Sequence, residues 1–361
     1  MRVLLIGPMP PPTTGQSLIN RIIVDQYNFK TGNLIRFIDT SYSFLEDKNG
    51  IFSTRKFFYY FKSYLKVYLI FNTDIVYLSI GQTFLGVLRF FPYFFVAKIF
   101  SKKIVVHIHG NHLRDEYEGL RGLKKKVFRS ILTCSDGGIV ISEILKRNLQ
   151  PFIERKSIYV VPNFAEEFLF EQGISKQSEV IRVIYLSNLL EDKGVFDFLE
   201  GLLLLKKKGL EFSVKMAGMM TSSTSEKVQR YIAELGNIVE YLGVVSGDEK
   251  RNLLNWGNVL VLPSKLNEGQ PLSILEAMAT GNVILTTKVG GIPDIFKEHI
   301  NGFYIKKESP DSICDRLYNL SKCPEDILTI SKNNRDEALK KYRLDQFINN
   351  LDNVFVKMFN I

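Results

Sequence analysis

The stretch Glu268-Gly-Gln-Pro-Leu-Ser-Ile-Leu-Glu276-Ala-Met-Ala-Thr280-Gly281 lies between two short apolar runs, Val259–Leu262 and Val283–Thr286. Its glycine and proline favour a turn, and its second half has the composition of the first turns of a buried helix. An apolar run, a helix and a second apolar run in this order predict two parallel strands joined by a helical crossover. The stretch therefore indicates an α/β fold with a parallel sheet.

The same alternation of short apolar runs and longer helical patterns extends over the whole chain. In the first half the runs are Val3–Ile6, Ile75–Ser79, Ile104–Ile108, Gly138–Ile141 and Ile158–Val160. In the second half they are Val180–Leu186, Phe212–Ala217, Ile238–Tyr241, Val259–Leu262 and Val283–Thr286. Each series predicts a doubly wound parallel sheet, so we expect two Rossmann-like domains whose strand carboxyl ends face a central cleft.

A chain of 361 residues is long enough for two such domains. The polar stretch Glu166–Glu179 separates the two series and predicts a linker. We therefore place a first domain at residues 1–170 and a second at residues 171–343. Residues 344–361 form a further segment, predicted as an amphipathic helix because apolar side chains recur at helical spacing at Phe347, Leu351, Phe355 and Met358.

The start of the helix in the opening stretch is suited to an anionic group. Unpaired amides near Leu272 and Ser273 and the helix dipole favour negative charge there, such as that of a diphosphate. Glu276 lies one turn further on and is placed to accept hydrogen bonds from ribose hydroxyls. Glu268, across the turn, is then expected to face the group that the phosphate carries.

These residues resemble a known family signature. The Glu-x7-Glu spacing within Glu-Gly-x-Pro-Leu and Leu-Glu-Ala-Met-Ala, followed by Val289-Gly-Gly-Ile-Pro-Asp294, is similar to the donor site of retaining nucleotide-sugar glycosyltransferases of the two-Rossmann-domain (GT-B) type, family 4 or glycosyltransferase group 1. The resemblance implies that residues 1–170 bind the acceptor and residues 171–343 the nucleotide sugar. It also implies that the helix of residues 344–361 packs on the N-terminal domain.

The resemblance assigns roles to the opening stretch and to one loop before it. The donor-binding residues it implies there are Gly269, Gln270, Pro271, Leu272, Ser273 and Glu276. Glu268 is implied as a catalytic residue that positions sugar hydroxyls and favours positive charge at the anomeric carbon. Leu242-Gly-Val-Val resembles the loop that holds the nucleobase edge through its backbone, near Gly243 and Val244.

A cation for the diphosphate is implied by Asn188-Leu-Leu-Glu-Asp-Lys193-Gly194, which resembles a segment where the family carries Gly-Arg five residues before Lys-Gly. Lys193 matches the lysine and is implied as a catalytic and donor-binding residue. Its charge would neutralise the departing nucleoside diphosphate, the main electrostatic demand of the reaction. Asn188, also a donor-binding candidate, stands where arginine is usual, so one charge is missing from the predicted phosphate site.

Two candidates come from the first half. The proline-rich loop from Gly7 ends at Gly15 before a helix, and only glycine lets a ligand approach the backbone there. It resembles the family's glycine loop beside the donor diphosphate, although a plain connecting loop is the alternative. In Val105-Val-His107-Ile-His109-Gly110 the two histidines point to the same side. The family's histidine near the transferring sugar corresponds to His109, a catalytic candidate, and His107 is expected to support it from the core.

The net charge of +9 is concentrated in the first half, because residues 1–172 hold 23 Lys+Arg against 14 Asp+Glu and the remainder is neutral. The aromatic run Phe57–Phe71 includes two lysines, and Lys124–Lys126 follow. Such a segment suits the headgroup layer of an anionic membrane. Alternatively the aromatic rings belong to the core and the lysines to its solvated edge. Both interpretations are open. Because no zinc, RRM or KH signature occurs, we expect no nucleic-acid partner.

The apolar stretch Phe84–Phe100 is broken by Arg89, Pro92 and Lys98 and is shorter than the ~20 apolar residues that span a bilayer, so no transmembrane helix is predicted. The three cysteines have no metal-ligand spacing and are expected to be buried free thiols in a reducing compartment. We therefore expect a cytoplasmic protein, attached peripherally to the inner face of the plasma membrane if the first interpretation of the aromatic run holds.

No Asp-x-Asp motif occurs, which argues against the glycosyltransferases that grip the diphosphate through a divalent ion. We expect neither metal nor cofactor, with a nucleoside-diphosphate sugar as co-substrate. The resemblance implies a hexosyltransferase-type enzyme that retains the anomeric configuration. With the aromatic, basic first half, it leads us to expect transfer to a hydroxyl of a glycan, lipid-linked, in bacterial surface-polysaccharide synthesis.

Two other hypotheses predict a different outcome with a nucleotide sugar: little or no turnover for the first, and a different product for the second. Asn188 motivates a catalytically weak or inactive GT-B module that binds a nucleotide sugar or a partner transferase. The other is a GT-B sugar-nucleotide epimerase, which the Glu-Gly-x-Pro-Leu segment disfavours.

Overall fold

Twelve β-strands form two six-stranded parallel sheets in this computed structural model, which describes residues 1–11, 14–41, 61–173, 176 and 179–360. The predicted fold class, α/β with two doubly wound parallel sheets, is confirmed. The chain divides into a first unit of Met1–Pro162 with Asp345–Ile361 and a second unit of Asn163–Leu344. The divisions thus fall after residues 162 and 344, where the sequence analysis sets them after 170 and 343.

The first unit contains the strands β1 Arg2–Gly7, β2 Leu34–Asp39, β3 Ile75–Ser79, β4 Lys103–Ile108, β5 Gly137–Val140 and β6 Ile158–Val160. Their order in the sheet is β2-β1-β3-β4-β5-β6. All five residues of β3 are buried, as expected for a central strand of a parallel sheet.

The α-helices of this unit that precede the second unit are α1 Gly15–Thr31, α2 Phe84–Leu88, α3 Phe91–Ile99, α4 Leu113–Gly119 and α5 Gly122–Leu132. Residues 61–64 are also α-helical. Short 3-10 helices lie at Val67–Asn72, Glu143–Asn148 and Arg155–Ser157. The apolar stretch Phe84–Phe100 thus forms two short helices, and the described residues contain no helix that is both long and apolar enough to cross a bilayer.

The second unit contains the strands β7 Ile181–Leu186, β8 Phe212–Ala217, β9 Val239–Tyr241, β10 Val259–Leu262, β11 Val283–Thr286 and β12 Gly302–Tyr304. Their order is β12-β11-β10-β7-β8-β9. Side chains of β7 alternate between two apolar clusters, with Val183 and Tyr185 in one and Ile184 in the other. Both faces of this sheet are therefore covered.

The α-helices of the second unit are α6 Val195–Lys207, α7 Ser222–Leu235, α8 Gly247–Trp256, α9 Leu272–Ala279, α10 Pro310–Lys322 and α11 Pro324–Lys341. Short 3-10 helices lie at Glu167–Phe170, Glu191–Lys193, Gly236–Ile238 and Ile292–Asp294. The first of these falls within the predicted linker Glu166–Glu179, whose residues 174, 175, 177 and 178 lie outside the described part of the chain.

The last helix, α12 Leu344–Phe359, returns to the first unit. Asp352 accepts hydrogen bonds from Tyr27 on α1, at 2.5 Å, and from Asn33, at 3.0 Å. The ring centroid of Phe355 lies 5.5 Å from that of Tyr77 on β3. The apolar side of α12 predicted from its spacing is buried at Phe347, Leu351, Phe355 and Met358.

The sequence analysis missed two edge strands, β2 and β12. In β2, Leu34-Ile-Arg-Phe-Ile-Asp, only two residues are buried, so the strand lacks the continuous apolar run that marks the central strands. In β12 only three residues pair, and they begin with a glycine. An edge strand is packed on fewer sides, and its sequence is correspondingly less apolar.

Each sheet has one point where successive crossovers run in opposite directions. In the first unit it lies between β1 and β3, and in the second between β7 and β10. In open α/β sheets, ligands bind outside the carboxyl ends of the strands at such a switch point. The loops after these strands are therefore the first place to look for a site in each unit.

Candidate active site

Two predicted catalytic residues meet at the switch point of the second unit. Lys193, in the loop after β7, donates from Nζ to Glu268 Oε1, in the loop after β10, at 2.5 Å. Ser264 Oγ donates to the same carboxylate oxygen at 2.6 Å. The side chains of Lys193 and Glu268 are 21% and 11% exposed, so the pair is largely shielded but reachable. A charged pair of this kind can bind an anion at the lysine and hydroxyl groups at the carboxylate.

Glycine permits the two loops to meet. Gly194 has φ +76°, and a Cβ there would lie 2.1 Å from the carbonyl oxygen of Pro263, which follows β10. Beyond this contact, Lys265 donates its backbone amide to Asp192 O at 2.8 Å, and its Nζ lies 3.0 Å from Asp197. The loop that carries Lys193 is therefore fixed against the loop that carries Glu268.

The backbone of Glu268 is held from a third side by the predicted Val289–Asp294 segment. Gly291 donates its amide to Glu268 O at 3.0 Å. Gly290 has φ +55°, and a Cβ there would lie only 1.9 Å from the same carbonyl oxygen. Gly290 thus allows a close backbone approach, and the amide of Gly291 helps to orient Glu268.

Asn188, where the family resemblance leads one to expect arginine, is exposed at the carboxyl end of β7. Its Oδ1 accepts a hydrogen bond from the backbone amide of Met219 at 3.2 Å. Gly218 brings this loop close, because a Cβ there would lie 1.9 Å from Ser187 O. The side chain is thus tied to the neighbouring loop and contributes no charge.

Tyr185 lies beneath these loops and was not singled out from the sequence. Its hydroxyl is 3.4 Å from Lys193 O and 3.5 Å from Asn188 O. Burial, reinforced by the charge of Glu268, raises the pKa of this phenol. Nothing in the sequence distinguishes Tyr185 from the other aromatic core residues, because its contacts with the carbonyl groups of Lys193 and Asn188 depend on how the loop after β7 folds.

The segment between the two predicted glutamates begins with Gly269 and Gln270, which are buried, and continues with Pro271, which precedes α9. Gln270 Oε1 accepts from the backbone amide of Asn163 at 2.6 Å, and Gln270 O accepts from Asn163 Nδ2 at 3.1 Å. Gln270 therefore anchors Asn163, the first residue of the second unit.

The first turn of α9 is partly accessible. Leu272 and Ser273 are half-buried, and no side chain among the described residues caps this helix start. Its amide groups are thus free of side-chain competition for an anionic ligand.

Glu276, which is predicted to accept hydrogen bonds from ribose hydroxyls, is buried one turn into α9. Its Oε1 accepts a hydrogen bond from Lys250 Nζ at 2.7 Å, and Lys250 also pairs with Glu166. Burial raises the pKa of Glu276, and the charge of Lys250 opposes that shift. The sequence analysis gave no role to Lys250.

The predicted base-binding loop follows β9. Gly243 has φ +73°, and its carbonyl accepts the amide of Gly218 at 2.8 Å. Tyr241 donates its hydroxyl to Gly218 O at 2.8 Å. The next residue, Val244, is 69% exposed and presents an apolar surface beside this loop.

In the first unit, the start of α1 and the end of β4 meet at Ser79, the last residue of β3. Gln16 donates from Nε2 to Ser79 Oγ at 2.9 Å and to Ser79 O at 3.0 Å. His109 Nε2 lies 3.3 Å from the same hydroxyl. Gly15 is the first residue of α1, and its predecessor Thr14 caps the helix by accepting from Ser17 N at 3.1 Å. Residues 12 and 13 of the predicted loop lie outside the described residues.

His107, on β4, and His109, just after the end of that strand, are neighbours, with ring centroids 4.0 Å apart. His107 is fully buried, and its Nδ1 lies 2.5 Å from the hydroxyl of Tyr77. Burial lowers the pKa of His109 to about 3, and burial together with the adjacent His109 lowers the pKa of His107. Both imidazoles are therefore neutral at physiological pH.

Gly110, which follows His109, is packed against Gln82. A Cβ at this position would lie 2.1 Å from Gln82 Nε2. Gln82 Oε1 in turn accepts the amides of His112, at 2.7 Å, and Leu113, at 3.2 Å. The glycine thus lets one side chain fix the turn between β4 and α4.

Neither group coincides with a metal cluster among the described residues or with the cavity at α10. Among the described residues, no three His, Cys, Asp or Glu side chains are grouped to hold a metal ion. A cavity of about 270 Å³ lies between Lys306 and Asn319, at α10, and no predicted site residue lines it.

Two doubly wound parallel sheets, with the Glu268–Glu276 segment at the switch point of the second, are the architecture of a GT-B glycosyltransferase. The chain belongs to the family described as glycosyl transferases group 1, whose sequence profile matches residues 145–337, more than half of the chain.

Relatives and solved structures agree with this assignment. An uncharacterised glycosyltransferase of Methanocaldococcus jannaschii is 22% identical over 274 residues, which are 74% of this chain and 73% of that protein. The lipopolysaccharide 1,2-N-acetylglucosaminetransferase of Salmonella typhimurium is 22% identical over 234 residues, which are 60% of this chain and 57% of that protein, less than two thirds of its length. The structure of Anabaena HepE in complex with UDP has a TM-score of 0.76 at 15% identity and covers 99% of this chain and 100% of that chain, a likeness of fold alone.

The chain is therefore a glycosyltransferase, and the predicted enzyme class is confirmed. The individual site residues and the absence of a metal requirement stay predictions.

Proposed function

We propose that this glycosyltransferase transfers a sugar from a nucleoside-diphosphate sugar, bound by the second unit, to a hydroxyl group of a glycan, without a metal ion and with retention of anomeric configuration. The observation that carries the proposal is the Lys193–Glu268 pair, 2.5 Å apart at the switch point of the second sheet. The fold of HepE, which was solved with UDP, supports a nucleoside diphosphate as the leaving group.

The charges of this pair suit the reaction. When the bond between sugar and diphosphate breaks, negative charge builds up on the diphosphate, and Lys193 stabilises it together with the amides at the start of α9. Glu268 accepts hydrogen bonds from sugar hydroxyls and stabilises the positive charge that develops at the anomeric carbon. In a retaining reaction the acceptor attacks from the side of the leaving group, and a diphosphate oxygen takes its proton.

His109 contributes a neutral imidazole in this scheme. Because burial lowers its pKa to about 3, it stays uncharged at pH 7 and does not act as the acid for the leaving group. We assign it to hydrogen bonding of the transferred sugar. Ser79 and Gln16 fix its position at the end of β4.

The acceptor is proposed to be lipid-linked because of an aromatic ridge on the first unit, which comprises Phe61, Leu65, Tyr68, Phe71, Phe91, Phe95, Ile99 and Phe100. These side chains are between 48% and 66% exposed. The ring centroids of Phe71 and Phe100 are 4.6 Å apart, which joins the two helical segments into one surface. Residues 57–60 of the predicted aromatic run lie outside the described residues.

Exposed lysines accompany the ridge at Lys62, Lys66 and Lys98. Large contiguous apolar surfaces are rare on proteins that do not use them for binding. Aromatic side chains flanked by lysines suit the interface of an anionic membrane, where each lysine adds about 1 kcal/mol. This exposure supports the membrane interpretation for Phe61, Leu65, Tyr68 and Phe71, whereas Ile70 in the same segment belongs to the core. It fits an enzyme at the inner face of a plasma membrane in surface-polysaccharide synthesis.

The first experiment is turnover of UDP-, GDP- and ADP-sugars in EDTA, with and without membrane lipid extract. We expect nucleoside diphosphate release from one donor, stimulated by the extract and lost in Glu268→Ala and His109→Ala. Turnover that requires a divalent metal would contradict the proposal that the transfer needs no metal ion. An inverted product, seen by NMR, would contradict retention.

A second experiment isolates the membrane contact. In flotation with vesicles containing phosphatidylglycerol, Phe95→Glu should reduce binding severalfold. Phe29→Glu is the matched control, because Phe29 is an exposed phenylalanine of the same unit outside the ridge, 88% accessible. Equal binding by both variants would remove the support for a lipid-linked acceptor and leave the donor half of the proposal intact.

One observation favours a second candidate function, a catalytically inactive module that binds a nucleotide sugar. Asn188 supplies no charge, and its Oδ1 is occupied by the Met219 amide. The module would bind a donor, detected as a thermal shift, and release no nucleoside diphosphate with any acceptor. Turnover in the first experiment excludes it.

A further inference from the structure

Within the second unit, the buried Lys250 pairs with two carboxylates. One of them is Glu276, which is predicted to accept hydrogen bonds from ribose hydroxyls. Lys250, on α8, donates from Nζ to Glu276 Oε1 at 2.7 Å and also to Glu166 Oε2. The side chain of Lys250 is 11% exposed and that of Glu276 is 7% exposed. An ammonium group with so little contact with water is held in place by its partners, because removing it from water is unfavourable unless it is paired.

The charges in this cluster depend on one another. Burial alone would lower the pKa of Lys250, but Glu276 and Glu166 outweigh burial and raise it to about 12. Burial raises the pKa of Glu276, and Lys250 opposes this effect. Without the lysine, burial would favour a protonated Glu276 carboxyl, which is a weaker hydrogen-bond acceptor than a carboxylate.

The geometry also fixes the direction of Glu276. Its contact with Lys250 goes through Oε1, so the side chain is anchored at one oxygen. Glu166 pairs with the lysine as a second carboxylate and comes from the segment just before the 3-10 helix Glu167–Phe170. The Lys250–Glu276 bond thus sets the direction of Glu276, and Glu166 is a second, separate partner of the lysine.

We propose that Lys250 is a positioning residue that keeps the Glu276 carboxylate charged and oriented to accept hydrogen bonds from the ribose hydroxyls of the donor nucleotide. This inference rests on the proposed function, since it presupposes a nucleoside diphosphate in the second unit. It makes a specific claim: the contribution of Lys250 to binding depends on the hydroxyl groups of the ribose.

The test compares a nucleoside diphosphate with its 2′,3′-dideoxy analogue, the deoxynucleotide of this test, which has neither ribose hydroxyl. UDP, GDP and ADP are titrated into the wild-type protein by calorimetry, and the tightest binder is paired with its dideoxy form. The wild-type protein should prefer the ribonucleotide. Lys250→Met, which removes the charge at similar length, should weaken ribonucleotide binding by about tenfold, as expected for a hydrogen bond to a charged group, and leave the deoxynucleotide nearly unchanged.

Three single variants and one double variant complete the design. Glu276→Gln should abolish the ribonucleotide preference by itself, and adding Lys250→Met to it should cause no further loss of preference. Lys250→Arg keeps the charge and should retain part of the preference. Glu166→Gln is the matched control, because it removes the other partner of Lys250 and leaves the pair with Glu276, so the preference should persist.

The outcomes separate this inference from the proposed function. A wild-type protein that binds none of the three nucleoside diphosphates overturns the proposed function and this inference with it. Binding that is weakened equally for both nucleotides in Lys250→Met overturns the inference alone, since Lys250 would then only stabilise the fold. If Lys250→Met does not fold, Lys250→Arg decides the question, because equal losses for ribonucleotide and deoxynucleotide would also contradict a positioning role.

Discussion

Lys193 Nζ and Glu268 Oε1 lie 2.5 Å apart although 75 positions separate the two residues in the chain. Each residue follows a strand that borders the switch point, β7 for the lysine and β10 for the glutamate. The resemblance to family 4 assigned both residues to the reaction, but it did not indicate that they contact each other. Because they are paired, each side chain holds the other in place before a substrate arrives, which is the condition for preorganised electrostatic stabilisation.

Replacing Lys193 with methionine should lower kcat by about 100- to 1,000-fold, the usual effect of removing one preorganised group that stabilises developing negative charge. Lys265→Met is the matched control, because Lys265 lies in the adjoining loop, pairs with Asp197 at 3.0 Å and is assigned no substrate contact. Steady-state kinetics with the identified donor measures both. An equal reduction in the two variants would mean that Lys193 acts through loop structure alone.

Adding the missing charge should strengthen the phosphate site. Asn188 is exposed at the end of β7, so an arginine there can extend without displacing core residues. We expect Asn188→Arg to tighten nucleoside diphosphate binding by up to about tenfold, the value of a hydrogen bond to a charged group. Asn188→Gln, which keeps the amide and adds no charge, is the control. Calorimetry in which Asn188→Arg binds no tighter than Asn188→Gln would place the diphosphate away from this loop.

The sequence was sufficient for the central strands and for the class of enzyme. Central parallel strands such as β3 are buried throughout and almost entirely apolar, so a run of apolar residues locates them. The edge strand β2 contains Arg36 and exposed positions and gives no such signal. The close backbone contacts at Gly194 and Gly290 also escaped prediction, because a glycine does not reveal which distant carbonyl will approach it.

Lys250 is the clearest case of what the sequence could not predict. It lies in the charged run Gly247-Asp-Glu-Lys-Arg251, which has the appearance of a solvated helix start. Its partners are 84 and 26 positions away, at Glu166 and Glu276. Burial of a lysine depends on paired carboxylates, and only the tertiary structure brings these two to one point.

The approach of the Lys193 loop to β10 can be tested at Gly194. Alanine at a positive φ costs about 1–2 kcal/mol wherever it occurs. At Gly194 the new Cβ would also lie 2.1 Å from Pro263 O, whereas at Gly209, with φ +73°, the described chain has no atom within 4 Å of it. Gly194→Ala should therefore lower the Tm by several degrees more than Gly209→Ala and reduce kcat as well. Equal Tm values would contradict the close approach.

The lowered pKa of His109, which is half-buried, predicts a pH dependence of stability. Its folded pKa is about 3, lowered by burial, whereas an unfolded histidine titrates near 6.5. Between these values the unfolded chain binds a proton that the folded chain does not, so this residue makes stability fall as pH decreases below 6.5. Above that pH its contribution is constant, and activity should show no inflection from His109 between pH 7 and 8.

The measurement is the apparent Tm between pH 7 and pH 4 for wild type and His109→Asn, whose amide can still bond to Ser79. The variant should lose less stability on acidification, by up to about 1.4 kcal/mol per pH unit, while His107, shifted in the same direction, keeps part of the slope. His112→Asn is the control, because that side chain is 59% exposed. Parallel curves for wild type and His109→Asn would mean that His109 has the same pKa in the folded and the unfolded chain, which would contradict its lowered pKa and remove the argument that excludes it as an acid.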